Sequence, residues 1–510
     1  MEAEWDIVVV GSGSAAMSAA LAARQRGCRV LVIEKAQPDL AGGNTAYTAG
    51  AMRFVYGGID DLLPLLEDPG DPRLARTDFG RYTAEQFEAD LLGFNDGRPL
   101  SPEQRTLIDE SYDAVRWLAS LGVRFEPIYS RQSFEKDGRF VFWGGLTLAT
   151  RKEGIGLVEA EHRAFRSGGG EIRFGCAAVG LIVENGAVVG VRTGDADGAT
   201  GELRARAVVL ACGGFEANAA LRTRYLGEGW DLARVRGTPH NLGQGLEMAF
   251  GVGAKPHGFF GGCHATPMDR YTPDFGNLDL PHLERKHYRK ICYFLGVMLN
   301  AGGERFVDEG QNFRNYTYAQ FGRAIMGQPK HLAWQIFDAK VDHLLYGEYR
   351  FQDAHYVEAE TLEELIAALD GLDGKAAALG TVAAFNRSVD AGVPFDPTVK
   401  DGKGTVGLPL PKSNWALPID TPPFKAYPVT GGITFTYGGV EVGRRGGVVH
   451  ENGHEIPGLF ACGEMVGGVF FDGYPGGSGL TSGVVFGRRA GAGAADRAAA
   501  TKCSASAAAT

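Results

Sequence analysis

The chain has 510 residues, more than a single hydrophobic core usually supports, so we expect at least two domains. It is 44% hydrophobic and 22% charged, as in an ordinary globular protein, and its net charge of −10 without a basic run argues against a nucleic-acid partner. Since no apolar run approaches about 18 residues, we expect no membrane span, and no signal segment precedes the first predicted strand.

Glycine is unusually frequent, with 75 residues in 510, about double the usual ~7%. That density suits a backbone that approaches a large ligand at many points. The seven cysteines are dispersed and form no CxxC pair, which argues against zinc or iron–sulfur ligation. The cysteine pattern predicts reduced thiols in a cytoplasmic protein, and we predict no metal site.

The N-terminal segment DIVVVGSGSAAMSAALAARQRGCRVLVIEK contains two apolar runs separated by a helical pattern. A buried strand over residues 7–10 is followed by a helix from about Ser14 to Arg26. A second buried strand, over residues 29–33, ends at Glu34. The pattern predicts a strand–helix–strand unit with two parallel strands.

The turn between the first strand and the helix has the spacing G-x-G-x-x-A, formed by Gly11, Gly13 and Ala16. The first glycine allows a tight turn, the second lets the backbone contact a pyrophosphate, and the small alanine permits close helix–strand packing. The helix N-terminus offers free amides to phosphates. Glu34, 23 residues after Gly11, is placed to bind ribose hydroxyls. This fingerprint predicts a dinucleotide site but does not distinguish FAD from NAD.

Later segments suggest further elements. Helical spacing predicts an excursion over residues 78–122, whose second helix begins with a Ser-Pro cap, and an Asn-Gly pair at 185–186 predicts a hairpin. Residues 261–412 mix short strands with a predicted helix at 360–371, which indicates an inserted domain. Residues 493–510 are small and of low complexity, which predicts a disordered tail.

Several glycine-rich motifs follow the fingerprint along the chain: GGNTAYTAGAM, ARAVVLACGGFEAN, GLFACGEMVGG and GGSGLTSG. In this order they resemble the flavin-binding family of fumarate reductases, succinate dehydrogenase flavoproteins and 3-ketosteroid dehydrogenases. The resemblance covers nearly the whole chain and implies FAD. No second fingerprint in a suitable context indicates a separate nicotinamide site.

The resemblance implies an α/β fold in which a Rossmann-like, glutathione-reductase-type FAD-binding domain is interrupted by an α+β cap domain for substrate. The FAD-binding domain is expected at residues 1–260 and 413–492, and the cap at 261–412. Membrane-bound members of the family attach FAD through a histidine just before the threonine of the second glycine-rich loop. Asn44 stands there, ahead of Thr45, so we predict noncovalent FAD.

The resemblance also assigns roles around the flavin. Glu464 is implied to bind the ribityl chain, and residues 476–483 to place a helix N-terminus at the N1/O2 edge, where its dipole stabilises an anionic reduced flavin. The complete predicted set of cofactor-binding residues is Gly11, Gly13, Ala16, Glu34, Lys35, Gly42, Gly43, Asn44, Thr45, Gly50, Ala178, Ala211, Gly213, Glu464, Ser478 and Leu480.

The stretch GERFVDEGQNFRNYTYAQFGR is too polar for a core element. Its part RFVDEGQNFR resembles the family segment that carries a catalytic arginine, which implies that Arg314 grips a carboxylate with its planar fork and takes part in proton transfer. The alternative is an exposed arginine paired with Asp308 or Glu309. An arginine hardly deprotonates, so a tyrosine is the other candidate for proton transfer. Tyr316 and Tyr318 face different directions on a helix, so at most one reaches the site.

Two further residues are assigned by resemblance. His264, in CHATPM, occupies the place of a His-Pro-Thr segment that contacts a substrate carboxylate in fumarate reductases; the alternative is a hydrogen-bonded loop histidine. Their second substrate histidine is Thr434 here, and their second carboxylate-binding arginine is Tyr474, so the four-carbon dicarboxylate clamp is incomplete. GYPGG, around Tyr474, is closer to the YPGPG of 3-ketosteroid dehydrogenases, whose tyrosine polarises a ketone. Arg323 adds a charge to the site or lies on the helix surface.

The combined motifs most resemble the FAD-dependent tricarballylate dehydrogenases, which oxidise a tricarboxylate to its cis-alkene. We therefore predict an oxidoreductase that introduces or reduces a C=C bond beside a carboxylate, using Arg314, His264 and Tyr474 and a separate electron acceptor or donor. Two alternatives stay open. One is a ketone α,β-dehydrogenase or reductase, with a neutral pocket, and the other is a flavin-binding protein without chemistry.

Overall fold

The computed structural model describes residues 5–281, 284–285, 288–345 and 347–508. Two large sheets, of eight and six strands, organise these residues. Six strands of the larger sheet lie side by side in the order Ala177–Glu184, Ala187–Gly194, Thr200–Leu210, Trp5–Val10, Val30–Ile33 and Glu171–Arg173. Its other two strands are Gly447–Val449 and Glu455–Ala461, and the latter pairs in parallel with Thr200–Leu210.

The strand Trp5–Val10 lies at the centre of the parallel part of the larger sheet. It pairs in parallel with Val30–Ile33 on one side and with Thr200–Leu210 on the other. All six of its residues are buried, and the four apolar residues 7–10 form the continuous run expected for a strand covered on both faces. The helix Ser14–Arg24 follows it directly. The predicted strand–helix–strand unit and the α/β, Rossmann-like fold class are confirmed.

The smaller of the two large sheets is built on the long strand Phe424–Thr436. Five shorter strands complete it: Arg234–Val235, Cys263–Asp269, Val297–Asn300, Ala333–Phe337 and Val357–Ala359. The sequence assignment placed Arg234–Val235 and Phe424–Thr436 in the FAD-binding domain. Phe424–Thr436 pairs with Arg234–Val235 and with three strands of the predicted cap, Cys263–Asp269, Ala333–Phe337 and Val357–Ala359. The six-stranded sheet therefore includes two strands, Arg234–Val235 and Phe424–Thr436, that come before and after the predicted cap in the sequence.

Three small sheets lie outside the two large ones within the described residues. The first joins Ala51–Met52, Leu148–Thr150 and Phe125–Pro127, the second joins Thr77–Asp78, Arg139–Phe142 and Ser133–Lys136, and the third joins Pro256–His257 to Gly439–Val440. The α-helices of seven residues or more are Ser14–Arg24, Ala84–Leu92, Pro102–Ser120, Glu153–Ser167, Ala219–Leu226, Gln244–Phe250, Arg314–Met326, Leu362–Ala368, Lys375–Ser388 and Ser478–Ala508. Across the described residues, we find no helix with the length and apolar character that a bilayer crossing requires.

The local signals of the sequence are found in the structure. The predicted excursion contains the helices Ala84–Leu92 and Pro102–Ser120. Ser101 caps the second of these in a reciprocal capping box with Gln104, which satisfies two amides at the helix start. The Asn-Gly hairpin joins two antiparallel strands, with both turn residues in the left-handed region.

The predicted disordered tail is wrong for the described part of residues 493–510. The helix Ser478–Ala508 continues through it, and Ala494, Ala495 and Ala498 are buried. They belong to the same core cluster as the helices Ser14–Arg24 and Pro102–Ser120. Small side chains let these helices approach closely, so the low complexity of the segment reflects packing. Residues 509 and 510 of that tail lie outside the described residues.

Candidate active site

A cleft opens at the carboxyl ends of Trp5–Val10 and Val30–Ile33, where ligands bind in open parallel sheets. We call it the nucleotide cleft. The predicted cofactor-binding residues on its walls are Gly11, Gly13, Glu34, Lys35, Gly43, Asn44, Thr45, Ala178, Ala211, Gly213 and Glu464. The structure therefore brings together residues from segments more than 400 positions apart.

Gly11 is needed at the start of this cleft for a reason inside the protein. Its backbone has a φ of 105°, in a region that favours glycine. A β-carbon there would lie 2.5 Å from the carbonyl oxygen of Ala211, at the end of the neighbouring strand. The first glycine of the fingerprint thus lets two parallel strands end side by side at the nucleotide cleft.

Three predicted cofactor-binding residues lie behind the cleft. Ala16 is fully buried in the core, beneath the first helix turn. Gly42 is left-handed, and a β-carbon on it would contact the side chain of Val158. Gly50 is also left-handed and packs against the segment 150–153. Each of these residues shapes the backbone that carries the cleft.

Two predicted residues belong to the C-terminal helix. Leu480 lines a second cavity next to the nucleotide cleft. Ser478, fully buried at the start of the helix, donates from Oγ to the carbonyl oxygen of Pro475 at 2.6 Å. Ser478 thus closes the turn that leads into the helix.

Glu34 lies at the end of the second strand, 7% exposed. Its Oε2 accepts from Ser12 Oγ at 2.6 Å, and its Oε1 accepts from the amide of Ala36 at 2.8 Å. A carboxylate has about four acceptor positions, so both oxygens can still accept from ribose hydroxyls. A glycine turn, a helix N-terminus and this carboxylate together fit the diphosphate and adenosine of FAD.

Asn44, on the wall of the nucleotide cleft, forms hydrogen bonds with three other segments of the chain. Its Nδ2 donates to Glu216 Oε1 at 2.5 Å and to the carbonyl oxygen of Thr434 at 2.6 Å. Its Oδ1 accepts from the amide of Thr238 at 2.9 Å. The lone pair of an amide nitrogen is delocalised, so Asn44 lacks the nucleophilic ring nitrogen of a histidine and joins the cleft to the strand Phe424–Thr436 through hydrogen bonds.

The second cavity, of about 220 Å³, continues from the nucleotide cleft, and we call it the inner cavity. The two share Ser14, Ala15, Asn44, Thr45, Gly463 and Glu464 as wall residues. A dinucleotide with its adenosine at Glu34 therefore has a continuous path into the inner cavity. Residues of the six-stranded sheet, of the helix Arg314–Met326 and of the C-terminal helix form its walls, so flavin and substrate can meet there.

Four arginines line the inner cavity: Arg131, Arg236, Arg289 and Arg314, which we call the arginine cluster. The sequence analysis identified Arg314 and missed the other three. No motif surrounds them, and they come from three separate segments, so only the fold brings them together. Tyr318 is a further wall residue of the inner cavity.

Arg314 is the first residue of the helix Arg314–Met326 and is 3% exposed, which excludes the exposed-arginine alternative. Its guanidinium carbon lies 4.8 Å from the ring centroid of Trp143. Burial lowers the pKa of Arg314 to about 9, and Arg131 and Arg289 add repulsion. The two acids proposed as its surface partners are used elsewhere: Glu309 pairs with Arg305 at 2.5 Å, and Asp308 binds Ser413.

Arg236 is 8% exposed and follows the short strand Arg234–Val235. Its Nε donates to Thr434 Oγ1 at 2.9 Å, and it forms no salt bridge within the described part of the chain. Burial lowers the pKa of Arg236 to about 10, and repulsion from Arg289 contributes. At neutral pH this guanidinium is therefore charged, and no carboxylate of the residues that the structure describes forms an ion pair with it.

The other two members of the cluster have carboxylate partners. Arg289 forms an ion pair with Glu348, and this carboxylate raises the pKa of Arg289 against the effect of burial. Arg131 lies 3.4 Å from Glu153, and burial is the main cause that lowers the pKa of Arg131. Arg131, Arg236 and Arg289 also line an outer cavity of about 880 Å³. They stand between this outer cavity and the inner one.

His264 faces the inner cavity from the cap strand Cys263–Asp269 and is 1% exposed. Its Nδ1 lies 3.3 Å from Tyr474 Oη, which lies 2.6 Å from Tyr318 Oη. Its Nε2 has no hydrogen-bond partner among the described residues. Burial, followed by repulsion from Arg236 and Arg289, lowers the pKa of His264 well below its usual range. A neutral imidazole and two hydroxyls thus form an uncharged side of the cavity.

Tyr316 and Tyr318 separate as their helical positions predict. Tyr318 lines the inner cavity, whereas Tyr316 Oη points away from it and donates to Asp90 Oδ2 at 2.9 Å. Arg323, on the same helix, forms an ion pair with Asp472 and is not among the wall residues of the cavity. The helix therefore presents Arg314 and Tyr318 to the site.

The profile of the FAD-binding domain family matches residues 6–480. An NADH:acrylate oxidoreductase of Vibrio harveyi is 26% identical over 96% of this chain and 50% of its own length. A 4-oxocyclohex-2-ene-1-carboxylate 5-dehydrogenase of Sinomonas cyclohexanicum is 28% identical over 95% of this chain and 93% of its own. The open conformation of a flavocytochrome c3 fumarate reductase superposes with a TM-score of 0.70 at 25% identity, over 97% of this chain and 78% of that one.

The curated relatives differ in length from this chain, which spans about half of the first two of them. The family match, in contrast, runs from the first strand of the nucleotide cleft to the start of the C-terminal helix. It includes the glycine turn, Glu34 and Glu464, the residues that form the cleft. The chain belongs to the FAD-binding domain family, and FAD is its cofactor.

Proposed function

We propose that this protein is an FAD-dependent oxidoreductase that introduces or reduces a C=C bond beside a carboxylate of an organic polycarboxylate. The observation that carries the proposal is the arginine cluster, above all the buried guanidinium of Arg236, which has no ion pair with a carboxylate in the described part of the chain. A buried charge is costly unless it is paired, so an anionic ligand is the expected partner.

The charges of the cluster favour a substrate with more than one carboxylate. Four guanidiniums line the inner cavity, and two of them are paired with carboxylates of the protein. In this proposal Arg236 and Arg314 grip substrate carboxylates through bidentate hydrogen bonds. A tricarballylate-like acid has enough carboxylates for both arginines and for the hydroxyl side of the cavity.

Each residue has a task in the proposed reaction. FAD, when bound, supplies the group that accepts or donates a hydride. Arg314 and Arg236 hold carboxylates and stabilise the negative charge that develops when the carbon beside a carboxylate loses a proton. Arg314, whose pKa falls to about 9, is closer to neutral pH than an ordinary guanidinium and is our candidate for moving that proton. His264 stays neutral and hydrogen-bonds a substrate oxygen together with Tyr474.

The names of the relatives support this chemistry in a general way. The Vibrio harveyi protein is an oxidoreductase of acrylate, and the Sinomonas cyclohexanicum protein is a dehydrogenase of a cyclic oxo-carboxylate. Both names contain a carboxylate beside or near a C=C bond. The finer assignment, a tricarballylate-like substrate, depends on the motif resemblance together with the arginine cluster.

A second candidate is a substrate with both a ketone and a carboxylate. It is favoured by the pair of hydroxyls of Tyr318 and Tyr474, 2.6 Å apart, beside the neutral His264. Two hydroxyls in contact can donate one hydrogen bond outward to a carbonyl oxygen and stabilise an enolate. A neutral ketone without a carboxylate does not suit the arginine cluster, because it leaves the buried charge uncompensated.

The test is anaerobic mixing of the oxidised holoprotein with tricarballylate, succinate, a cyclic ketone and a cyclic keto acid, with flavin bleaching as the signal. The reverse direction uses the reduced holoprotein with cis-aconitate, fumarate and the matching enones. Reaction with the polycarboxylates supports the first candidate, and reaction with the keto acid supports the second. Reaction with the neutral ketone alone, or with none of the compounds in either direction, contradicts the proposal.

The proposal includes a separate electron acceptor or donor and a cytoplasmic location. The sequence has one predicted dinucleotide fingerprint, which is that of the FAD site. A second molecule is therefore expected to supply or accept the electrons in each turnover. The location is suggested by the dispersed cysteine pattern. Activity of the purified holoprotein with artificial electron carriers, and fractionation of cells that produce the protein, test these two points.

A further inference from the structure

Glu216 is a buried carboxyl that the proposed reaction does not use. It follows the Gly213–Gly214 turn and is fully buried. Its Oε1 accepts from Asn44 Nδ2 and from Asn241 Nδ2, each at 2.5 Å. Asn44 and Asn241 both line the nucleotide cleft. Glu216 therefore orients two amide groups on the wall of the cofactor site from behind.

A second carboxyl lies beside it. Glu464 lines both the nucleotide cleft and the inner cavity. Its Oε1 accepts from the amide of Thr436 at 2.6 Å and from Thr436 Oγ1 at 2.9 Å. A β-carbon on Gly214, two residues before Glu216, would lie 2.2 Å from Glu464 Oε1, so Glu464 packs against the turn that leads into Glu216.

The donors around this pair are distributed unevenly. Each Oε1 accepts two hydrogen bonds from the protein, whereas Glu216 Oε2 is buried and has no donor among the described residues. Two neighbouring carboxylates repel each other strongly when one of them is fully buried, and a proton on Glu216 removes the repulsion and lets its Oε2 donate a hydrogen bond. We propose that Glu216 and Glu464 share a single proton, held mainly by Glu216, and that this proton is required for tight FAD binding.

The electrostatic surroundings agree with this assignment. Burial raises the pKa of Glu216 well above its usual range, and the neighbouring Glu464 raises it further. Burial also raises the pKa of Glu464, although its hydrogen bonds to Thr436 oppose the shift. The other charged or titratable groups facing Glu216 are Arg222, which donates to its backbone oxygen at 2.6 Å, and the buried thiol of Cys263. Neither contacts the carboxyl oxygens among the described residues.

The shared proton has a defined consequence for the cofactor. Glu464 stays the ionised member and is the acceptor available to cofactor hydroxyls, while protonated Glu216 keeps its two asparagine contacts. When the pH rises and the proton leaves, the second negative charge repels both Glu464 and the diphosphate of FAD. FAD affinity should therefore fall as the pH rises, by at most tenfold per pH unit for one proton.

A second buried acid near the cofactor must be separated from this effect. Glu161 is fully buried behind the first helix, where it accepts from Ser14 Oγ at 3.0 Å and from Ser18 Oγ at 3.3 Å. Burial raises the pKa of Glu161 to about 8. Its ionisation would also place a negative charge near the diphosphate, so Glu161→Gln is the matched control.

The experiment measures FAD binding to the apoprotein by quenching of flavin fluorescence from pH 6 to about pH 9.5, the range over which a raised carboxyl pKa acts. Wild type is expected to bind FAD more weakly with rising pH. Glu216→Gln keeps the acceptor for both asparagines and donates to Glu464 without titrating, so it should match wild type at pH 6 and weaken less at high pH. Glu216→Ala should bind FAD more weakly at every pH, because Asn44 and Asn241 lose their acceptor.

Calorimetry provides a second measurement that needs no variant. Wild-type apoprotein titrated with FAD near pH 9, in two buffers with different ionisation enthalpies, should take up protons on binding. The proposal is overturned if Glu216→Gln keeps the full pH dependence while Glu161→Gln abolishes it. A pH-independent wild-type affinity, or binding near pH 9 without proton uptake, also overturns it. Since all these measurements use FAD alone, they are independent of the substrate.

Discussion

Replacing Arg236 by methionine removes the buried guanidinium from the inner cavity while keeping a side chain of similar length. The pKa of Arg236 falls from 12.5 to about 10 in the folded protein, chiefly because of burial. At 1.36 kcal/mol per pKa unit, holding this charge costs about 3 kcal/mol. The group stays charged at pH 7, so the folded protein bears that cost. The substitution removes that cost, and the loss of the hydrogen bond to Thr434 offsets about 1 kcal/mol of the gain in stability. We expect the FAD-loaded Arg236→Met protein, without substrate, to be about 1–2 kcal/mol more stable than wild type.

The same substitution should weaken the binding of polycarboxylates. A charge-assisted hydrogen bond contributes about 1.5–3 kcal/mol. Its loss corresponds to an affinity lower by about ten- to a hundred-fold, at 1.4 kcal/mol per tenfold. A gain in stability together with a loss of affinity is the signature of a charge kept for a ligand rather than for the fold.

Two titrations measure the two effects. Urea unfolding of the FAD-loaded protein in a buffer without carboxylates gives the change in unfolding free energy. Perturbation of the oxidised flavin spectrum by tricarballylate and by citrate, at constant ionic strength, gives the affinities. Arg323→Met is the matched control, because Arg323 lies on the helix of Arg314 but pairs with Asp472 outside the cavity. It should leave both affinities near those of wild type.

The reasoning is refuted if Arg236→Met binds both acids as tightly as wild type. It is also refuted if the variant is several kcal/mol less stable, since Arg236 would then be a structural residue whose charge is compensated in the folded protein. An equal loss of affinity in Arg323→Met would assign the effect to general electrostatics of the cap.

Three further predictions concern individual residues. Arg314→Lys keeps the charge but loses the planar fork, so stopped-flow flavin reduction by tricarballylate should show kcat/KM lower by about ten- to a hundred-fold. A much larger loss, mainly in kcat, is expected if Arg314 also moves the proton, and near-wild-type reduction would remove it from the mechanism. Acid precipitation should release FAD into the supernatant, because Asn44 replaces the attaching histidine; flavin retained in the pellet would contradict this. Glu161, whose pKa is raised to about 8, stays protonated in the folded protein at pH values where the unfolded chain is ionised. Wild type should therefore lose a few kcal/mol of unfolding free energy between about pH 4.5 and pH 8 through this residue, at 1.36 kcal/mol per pKa unit. Urea unfolding at pH 5 and pH 9 should show a smaller loss in Glu161→Gln, and an unchanged loss would exclude Glu161 as the cause.

Local chemistry made the first part of the fold predictable. The turn at Gly11 and Gly13 needs glycine for backbone reasons, and the runs 7–10 and 30–33 in the flanking buried strands are apolar, so the pattern can be read from neighbouring residues. The capping box at Ser101 and the hairpin at Asn185 are equally local. In each case the interacting groups lie within a few positions of one another.

The C-terminal segment shows where composition misleads. Its glycines and alanines suggest disorder when read alone, since they bury little apolar surface. In the fold, a β-carbon on Gly487 would lie 2.5 Å from the carbonyl oxygen of Ala15, so small residues are required where this helix crosses the first one. That requirement depends on a partner more than 400 residues away, and no local pattern reveals it.

The chemistry of the site divides in the same way. Most of the residues predicted to bind the cofactor line one cleft, and motifs were enough to list them, because a dinucleotide imposes fixed spacing on a strand, a turn and a helix. The arginine cluster could not, since Arg131, Arg236 and Arg289 reach one cavity from three segments, and Arg236 rests on Thr434, 198 positions away. The proton-sharing pair of Glu216 and Glu464 is likewise invisible along the chain. Electrostatic coupling depends on distance in space and on burial. Both are decided by the tertiary structure, in which strands of the predicted cap pair with Phe424–Thr436.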